Sequence, residues 1–252
     1  MKQLQTSPLQ GKTQNQPLWL HAAGWAHFPG LVHGFSRRLP RMYHIGDGAP
    51  SIPTFAGLTP HTLKQVHGND IVHIKGTERG SSKAEADGMF TDDVGALLGI
   101  LTADCVPILM VAPQHRIVIA LHAGWRGTQK AIGVRAVELC TKKWRLDPSQ
   151  LWVALGPSIG GCCYEVGYEV GEPLFQRWGD GEKETWRVQG DGKGFLDLRA
   201  INKAQLTWTG IPDDQIQSVG PCTCCNRVEF TSYRREGPQS GRQISVIGWK
   251  PS

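Results

Sequence analysis

Apolar residues in this chain gather in short runs of strand length. LVHGFS (31–36), LLGIL (97–101), PILMV (107–111), RIVIALHA (116–123), LWVALG (151–156) and RQISVIGW (242–249) each hold four to eight residues dominated by branched or aromatic side chains, the pattern of buried strands. KQVHGNDIVHI (64–74) sets two β-prone runs around Gly68-Asn69 and predicts a hairpin. Helical spacing appears twice. GTQKAIGVRAVELCTKKW (127–144) puts Ile132, Ala136, Leu139 and Cys140 on one face, with Pro148 forbidding a long continuation. LDLRAINKAQLTWTGIP (196–212) predicts a helix capped by Asp197, with Ile201, Ala204, Gln205 and Trp208 on one side and an end at Gly210.

One stretch interrupts this regularity. LLGILTADCVPILMV (97–111) would be a single long apolar run but for Asp104 and Cys105 at its centre and Pro107 just beyond. An unpaired buried carboxylate is costly, and proline cannot donate to a sheet ladder and drives Val106 toward extended geometry. The segment therefore reads as two strands, Leu97–Leu101 and Ile108–Val111, meeting at a polar joint where chemistry is expected.

Strands outnumber helices, and both helices follow strands. The expected fold is α/β, a single-domain mixed-sheet α/β sandwich with helices covering a large sheet. No repeat and no long Pro/Gly/Ser linker divides the chain. Residues 1–17, rich in Gln, Thr, Ser and Lys, read as a flexible N-terminal extension, and 18–252 as one catalytic domain. That domain is large enough for a substantial core, since the chain has 252 residues and is 40% hydrophobic.

Charge and cysteine usage narrow the function classes. The net charge of +5 comes from scattered basic residues, not the dense basic stripe with interleaved aromatics of a nucleic-acid binder. A small anion such as phosphate needs only one or two well-placed arginines. No run approaches the roughly 18 apolar residues of a membrane span, nor is there an apolar leader, so a cytoplasmic protein without membrane contact is expected. Seven cysteines, an odd number, argue against a disulfide framework. Cys140 reads as a small core residue. CTCC (222–225) resembles half of a zinc knuckle, but no second half with matching spacing follows it.

His122 ends an apolar run and precedes Gly124 and a predicted helix, the manner in which an α/β protein exposes a side chain at a sheet edge. Cys105 is expected to end a neighbouring strand, and His67 to lie beside the hairpin turn. Two imidazoles and one thiolate match a zinc site with three protein ligands and an open fourth position. Spacing alone leaves the alternative open, two hydrogen-bonded histidines and a buried thiol, because 37 residues lie between His67 and Cys105 and 16 between Cys105 and His122. Asp104, next to a ligand candidate, is suited to orienting a histidine or a water.

In order along the chain, QVHG (65–68), ADG (86–88), LTADCVPIL (101–109), HAGWRG (122–127), GPSIGGCCYEVG (156–167), LDLRAINKAQL (196–206), CTCC (222–225) and SYRREG (232–237) resemble the motifs of the YfiH-type laccase-domain family. The likeness runs from about Leu31 to the C-terminus. Its members have been described as polyphenol oxidases and as purine nucleoside phosphorylases. MYHIGD (42–47) and Gly161 depart from the family pattern, which often has an Asn-Leu-Gly segment and a proline there. The resemblance implies that His67, Cys105 and His122 bind one catalytic zinc. It also implies phosphorolysis of adenosine, inosine and related nucleosides to a base and ribose 1-phosphate, with adenosine deamination as a second activity.

Within that reading Arg37, Arg126 and Arg234 are candidates to hold phosphate, each equally readable as a solvated surface arginine. Tyr233 is a candidate to stack on a base, or else a cover for the core. Asp104 and Glu165 are candidate proton shuttles, with a loop or capping role as the alternative for Glu165. Three rival functions stay open. A copper-dependent polyphenol oxidase keeps the ligands and changes the metal, although the chain has no His-x-His pair. A thiol hydrolase, linked to amide or peptidoglycan-related substrates, uses Cys105 as nucleophile and His122 as base. A non-enzymatic zinc or nucleotide-binding module closes the metal site with Cys222 or Cys224.

Overall fold

The computed structural model describes residues 18–38, 58, 60–76, 81–179 and 185–251; the 1–17 extension and the 42–47 segment lie outside the described residues. In chain order the strands and helices are β1 (Trp19–Leu20), β2 (Leu31–Ser36), β3 (Pro60–Lys64), β4 (Ile71–His73), β5 (Ser81–Glu85), β6 (Gly88–Thr91), β7 (Leu97–Thr102), β8 (Val106–Ala112) and β9 (Ile117–Ala123). There follow α1 (Trp125–Gln129), α2 (Ile132–Trp144), β10 (Trp152–Leu155), β11 (Glu165–Gly167), α3 (Tyr168–Trp178), β12 (Trp186–Val188), β13 (Lys193–Leu196), α4 (Leu198–Trp208), β14 (Ile216–Ser218), α5 (Tyr233–Glu236) and β15 (Gln243–Trp249). Two mixed six-stranded sheets result, ordered β1-β2-β15-β7-β3-β5 and β14-β10-β8-β9-β6-β4, with a small third sheet β11-β13-β12.

Alternation along β8 and β9 explains the layering. Leu109, Val111, Val118 and Ala120 join Phe35, Leu98, Ile100 and Ile247 of the first sheet in one buried cluster. Ile108, Met110, Ile119 and Leu121, one residue out of phase, instead meet Ile132, Ala136, Val137 and Cys140 of α2 and Ile201 and Leu206 of α4. The second sheet is thus covered on both faces, which is why its central strands read as continuous apolar runs. Each fully buried Leu or Ile adds about 1.5–3 kcal/mol. The expected α/β sandwich is present, with the sheets packed on each other and the helices over the second one.

The polar joint has a topological meaning. β7 belongs to the first sheet and β8 to the second, so Ala103, Asp104 and Cys105 carry the chain from one layer to the other. Asp104 makes the corner at φ 84°, a left-handed conformation uncommon outside glycine.

Three local expectations are corrected. No hairpin forms at 64–74: β3 pairs in parallel with β5 and β7 of the first sheet, and β4 in parallel with β6 of the second. The turn residue is His67 at φ 59°, and the N–H groups of Val66, His67 and Gly68 all donate to the Asp87 carboxylate, so they are not available to a ladder. The helix expected over 127–144 is two helices, broken where Ala131 takes φ 53°. Trp208, placed on the buried face of the second helix, is 69% exposed and meets Trp178 edge-on. The cap of that helix is as expected: Asp197 accepts from the N–H groups of Arg199 and Ala200, worth about 1 kcal/mol.

His33 on β2 faces the layer between the sheets, 8% exposed, against Trp25. Burial, then the facing His21, bring its imidazole down to about 4. Its Nε2 accepts the Ala22 N–H at 3.0 Å, so a proton there would also cost that bond. Because the folded value is depressed, the neutral ring contributes stability in full above the unfolded value of about 6.5, and the contribution is lost as pH falls through about 4. Urea unfolding of the wild type is expected to show about 3 kcal/mol more loss between pH 7 and pH 4 than a His33→Gln variant; equal losses would remove His33 as the cause.

Candidate active site

β8 and β9 run antiparallel, with Val106 opposite Ala123 and Pro107 opposite His122. The start of one strand therefore meets the end of the other. Cys105 enters β8 instead of ending a strand, a correction that leaves its place beside His122 unchanged. Both residues are in phase with Leu109, Val118 and Ala120, so they sit at the rim of the layer between the sheets. His67, from the loop joining the two sheets, completes the group: the ligand atoms of His67, Cys105 and His122 all lie within 4.8 Å of one another. The two imidazoles meet at 4.8 Å between centroids, near perpendicular.

Asp87, buried completely, organises this group. One carboxylate oxygen lies 2.7 Å from His122 Nδ1 and accepts the His67 N–H at 2.9 Å; the other accepts from the Val66 and Gly68 N–H groups. Three consecutive amides wrapping one carboxylate form a backbone nest, and they fix His67 in its left-handed conformation. Burial disfavours charge on Asp87, but the hydrogen bonds from His122 and the nest prevail and hold it below the usual carboxylate range. With Nδ1 engaged by a carboxylate, His122 presents Nε2 to the cluster, the arrangement that orients a metal-binding imidazole.

Charge inside the cluster is coupled. Burial opposes ionisation of the Cys105 thiol, yet facing His122 and the hydrogen bonds from both histidines lower its pKa. Burial likewise opposes protonation of His122, yet Cys105 and Asp87 raise its pKa. The protein thus stabilises a thiolate at Cys105, the form that binds metal. Gly124, at the end of β9, makes the approach possible: a Cβ there would lie 3.0 Å from Cys105 Sγ and 3.1 Å from His67 Cδ2.

The cluster opens on a cleft of about 480 Å³ lined by His67, Asp104, Cys105, Trp125, Arg126, Ile159, Tyr164, Leu198, Tyr233, Arg234 and Arg242 among others, within the usual size of small-molecule sites. Arg126 stacks over Trp125 and Arg234 over Tyr164, with 4.5 Å and 5.2 Å from guanidinium carbon to ring centroid. Of the sequence-based candidates, His67, Cys105, His122, Arg126, Tyr233 and Arg234 come together here. Arg37 does not line the cleft; it pairs with Glu229. Arg242 does line it, and no sequence signal had marked that residue.

Asp104 also borders the cleft, but its carboxylate is engaged. It accepts from Thr223 Oγ1 at 2.6 Å, Ser232 Oγ at 3.0 Å and the Arg234 N–H at 2.7 Å, so it ties the layer crossing to the loop and helix that carry Tyr233 and Arg234. The carboxylate that orients a cluster histidine is Asp87, and its only sequence signal was its place in the ADG motif. Glu165 lies on β11, with Lys193 3.6 Å from its carboxylate, and is not among the cleft-lining residues. Cys222 and Cys224 do not join the His67 cluster; Cys222 belongs to a separate group of thiols.

Residues 54–250 match the family model described as multi-copper polyphenol oxidoreductase laccase. The chain belongs to this laccase-like family. Within the laccase-like family it is 38% identical over 192 residues to the purine nucleoside phosphorylase YlmD of Geobacillus stearothermophilus, an alignment spanning 73% of this chain and 70% of that one. It is 40% identical over 162 residues to a protein named adenosine deaminase RL5, from an unknown prokaryote, covering 64% of this chain and 61% of the relative. The crystal structure of G. stearothermophilus YlmD superposes with a TM-score of 0.79 at 29% identity, over 94% of this chain and 98% of that one. Among the described residues no helix is long and apolar enough to cross a membrane.

Proposed function

We propose that this member of the laccase-like family is a zinc-dependent purine nucleoside phosphorylase that also deaminates adenosine, with His67, Cys105 and His122 holding the ion. The observation that carries this reading is the open cluster: three donors converge at the floor of a cleft whose walls hold arginines and aromatic rings. Two imidazoles and a thiolate are donors that zinc accepts, and three protein ligands leave the fourth position to a reactant. Bound there, zinc supplies Lewis acidity.

The chain's own groups do the rest. Arg126, Arg234 and Arg242 face the cleft and bind phosphate, with guanidinium forks suited to its oxygens. Their charge also meets the negative charge that phosphate brings beneath the anomeric carbon. Tyr164, Tyr233 and Trp125 offer ring faces to a purine. Asp87 holds His122 in one tautomer, and Asp104 keeps the Arg234 segment in place.

Metal content should be measured on protein purified without added metal, and adenosine assayed with and without phosphate. About one zinc at this site per chain, with phosphate-dependent release of adenine and ribose 1-phosphate, is the expected result. Copper-dependent phenol oxidation with no base release would replace this reading with the oxidase. The Cys105–His122 pair also favours a thiol hydrolase as a second reading, since a lowered thiol pKa beside an imidazole is what a cysteine nucleophile requires. Hydrolysis that survives complete zinc removal would support it.

Gly124→Ala offers a steric test. Its methyl group would press on Cys105 Sγ and on His67, displacing two ligands by a few tenths of an ångström. Zinc binding, followed by chelator competition, is expected to weaken about tenfold without loss of the folded state. Unchanged affinity would overturn the steric role given to Gly124.

A further inference from the structure

A second set of metal donors lies outside this site. Cys162, Cys163, Cys222 and Cys225 have sulfur atoms all within 4.8 Å of one another, with Cys163 and Cys162 at 3.3 Å and 3.5 Å from Cys225. A zinc–sulfur bond of about 2.3 Å in tetrahedral geometry puts ligand sulfurs about 3.8 Å apart. The missing half of the CTCC knuckle thus exists, but it precedes the motif by some sixty residues, in GGCCYEVG. We propose that these four cysteines hold a structural zinc ion as a closed tetrathiolate site, separate from the His67 cluster, which fastens together two loops that wall the cleft.

Donor chemistry, scaffold and charge agree. Four sulfurs fill a tetrahedral sphere and leave no position for a reactant, the mark of a structural site, and all-thiolate sets select soft or borderline metals. The two loops are already in register. Ser158 and Cys222 form an isolated parallel bridge, the Thr223 N–H donates to the Ser158 carbonyl at 3.0 Å, and the Cys163 N–H to the Gly160 carbonyl at 2.9 Å. The Gly160 N–H donates to Cys222 Sγ at 3.2 Å, the kind of outer contact that supports a ligating thiolate.

Four thiolates around a dication leave a net negative charge, and three arginines reach the loops that carry them. Arg199 donates to Ser158 Oγ and the Gly220 carbonyl, Arg234 to the Cys163 carbonyl, and Arg235 to the Thr223 and Cys224 carbonyls. The same loops bear on the cleft: Ile159 and Tyr164 line it, and Thr223 holds Asp104.

Zinc per chain, by plasma mass spectrometry on the full-length protein, is expected to be about two in the wild type and about one in both Cys162→Ser/Cys225→Ser and His67→Ala/His122→Ala. Cobalt(II) loaded into the histidine variant should give the intense tetrahedral bands and thiolate charge transfer of a four-sulfur site, and Cys162→Ser should reduce them. If the thiol variant does not fold, the cobalt spectrum of the histidine variant decides alone, and a spectrum without those bands overturns the proposal. So do wild-type zinc content in a folded thiol variant, iron in place of zinc, and a Cys163–Cys225 disulfide found by alkylation and peptide mapping. Because the readout is metal content in a variant lacking the catalytic cluster, the result is independent of the nucleoside reaction.

Discussion

Cys105→Ala is expected to remove the metal from the active-site cluster and to lower phosphate-dependent base release from adenosine by about 10³-fold or more. The thiolate is the one anionic donor among the three, and without it the ion is met by two neutral imidazoles, with the Asp87 carboxylate behind His122 as the remaining negative charge. The site also invests in that charge: burial alone would raise the thiol's pKa, whereas the two histidines lower it. Alanine leaves a small void and a neutral surface, and the neighbouring strands, buried on both faces, keep the fold. Cys105→Ser separates shape from charge, because a serine hydroxyl restores most of the volume but not the thiolate. Both variants are therefore expected to fail alike, in zinc content and in turnover. Full metal retention by the alanine variant with loss of hydrolysis would instead make Cys105 a nucleophile, and full turnover would remove it from the chemistry.

The legibility of this site in the sequence has a physical pattern. The break inside 97–111 was readable from Asp104, because an unpaired carboxylate is costly inside a buried strand, whereas Pro107 sits within β8; that the break marks a crossing between two sheets was not readable, since nothing local says which layer a strand joins. β2, β8, β9, β10 and β15 were evident from apolar runs, and the α4 cap from Asp197, because these depend on neighbours within a few residues. The 64–74 segment misled for the opposite reason. Its second run is a real strand, Ile71–His73, but the first contributes only Lys64, the last residue of β3, and Asp87, some twenty residues on, takes the three amides a hairpin would use. Arg37 and Arg242 exchanged roles likewise: Glu229 claims the first, and a loop after α5 brings the second to the cleft. The convergence of His67, Cys105 and His122 rested on family resemblance, because separations of this size carry no geometry without the sheets between them.

Asp87 carries the other large effect, although it touches no position a substrate could reach. Asp87→Asn keeps an oxygen for some of the 66–68 amides but loses the negative charge facing His122 Nδ1. Zinc affinity is expected to fall about 10–100-fold, with turnover falling in step and the structure retained. Asp87→Ala goes further. It removes the acceptor of three N–H groups in the exposed to half-buried 66–68 turn and of the buried His122 ring together, and a donor left buried and unsatisfied costs about 1–3 kcal/mol. Some of those amides will recover partners by local rearrangement, so an overall loss of about 3–5 kcal/mol, the usual cost of breaking a buried ionic pair from one side, is the expected unfolding result. The rearranged loop would also let His67 leave its left-handed backbone conformation and, with it, the cluster. Chelator competition and urea unfolding on both variants test the account. An alanine variant that keeps wild-type zinc affinity would show that the donors converge without the carboxylate beneath them, whereas an asparagine variant as unstable as alanine would move Asp87's contribution from hydrogen bonding to charge.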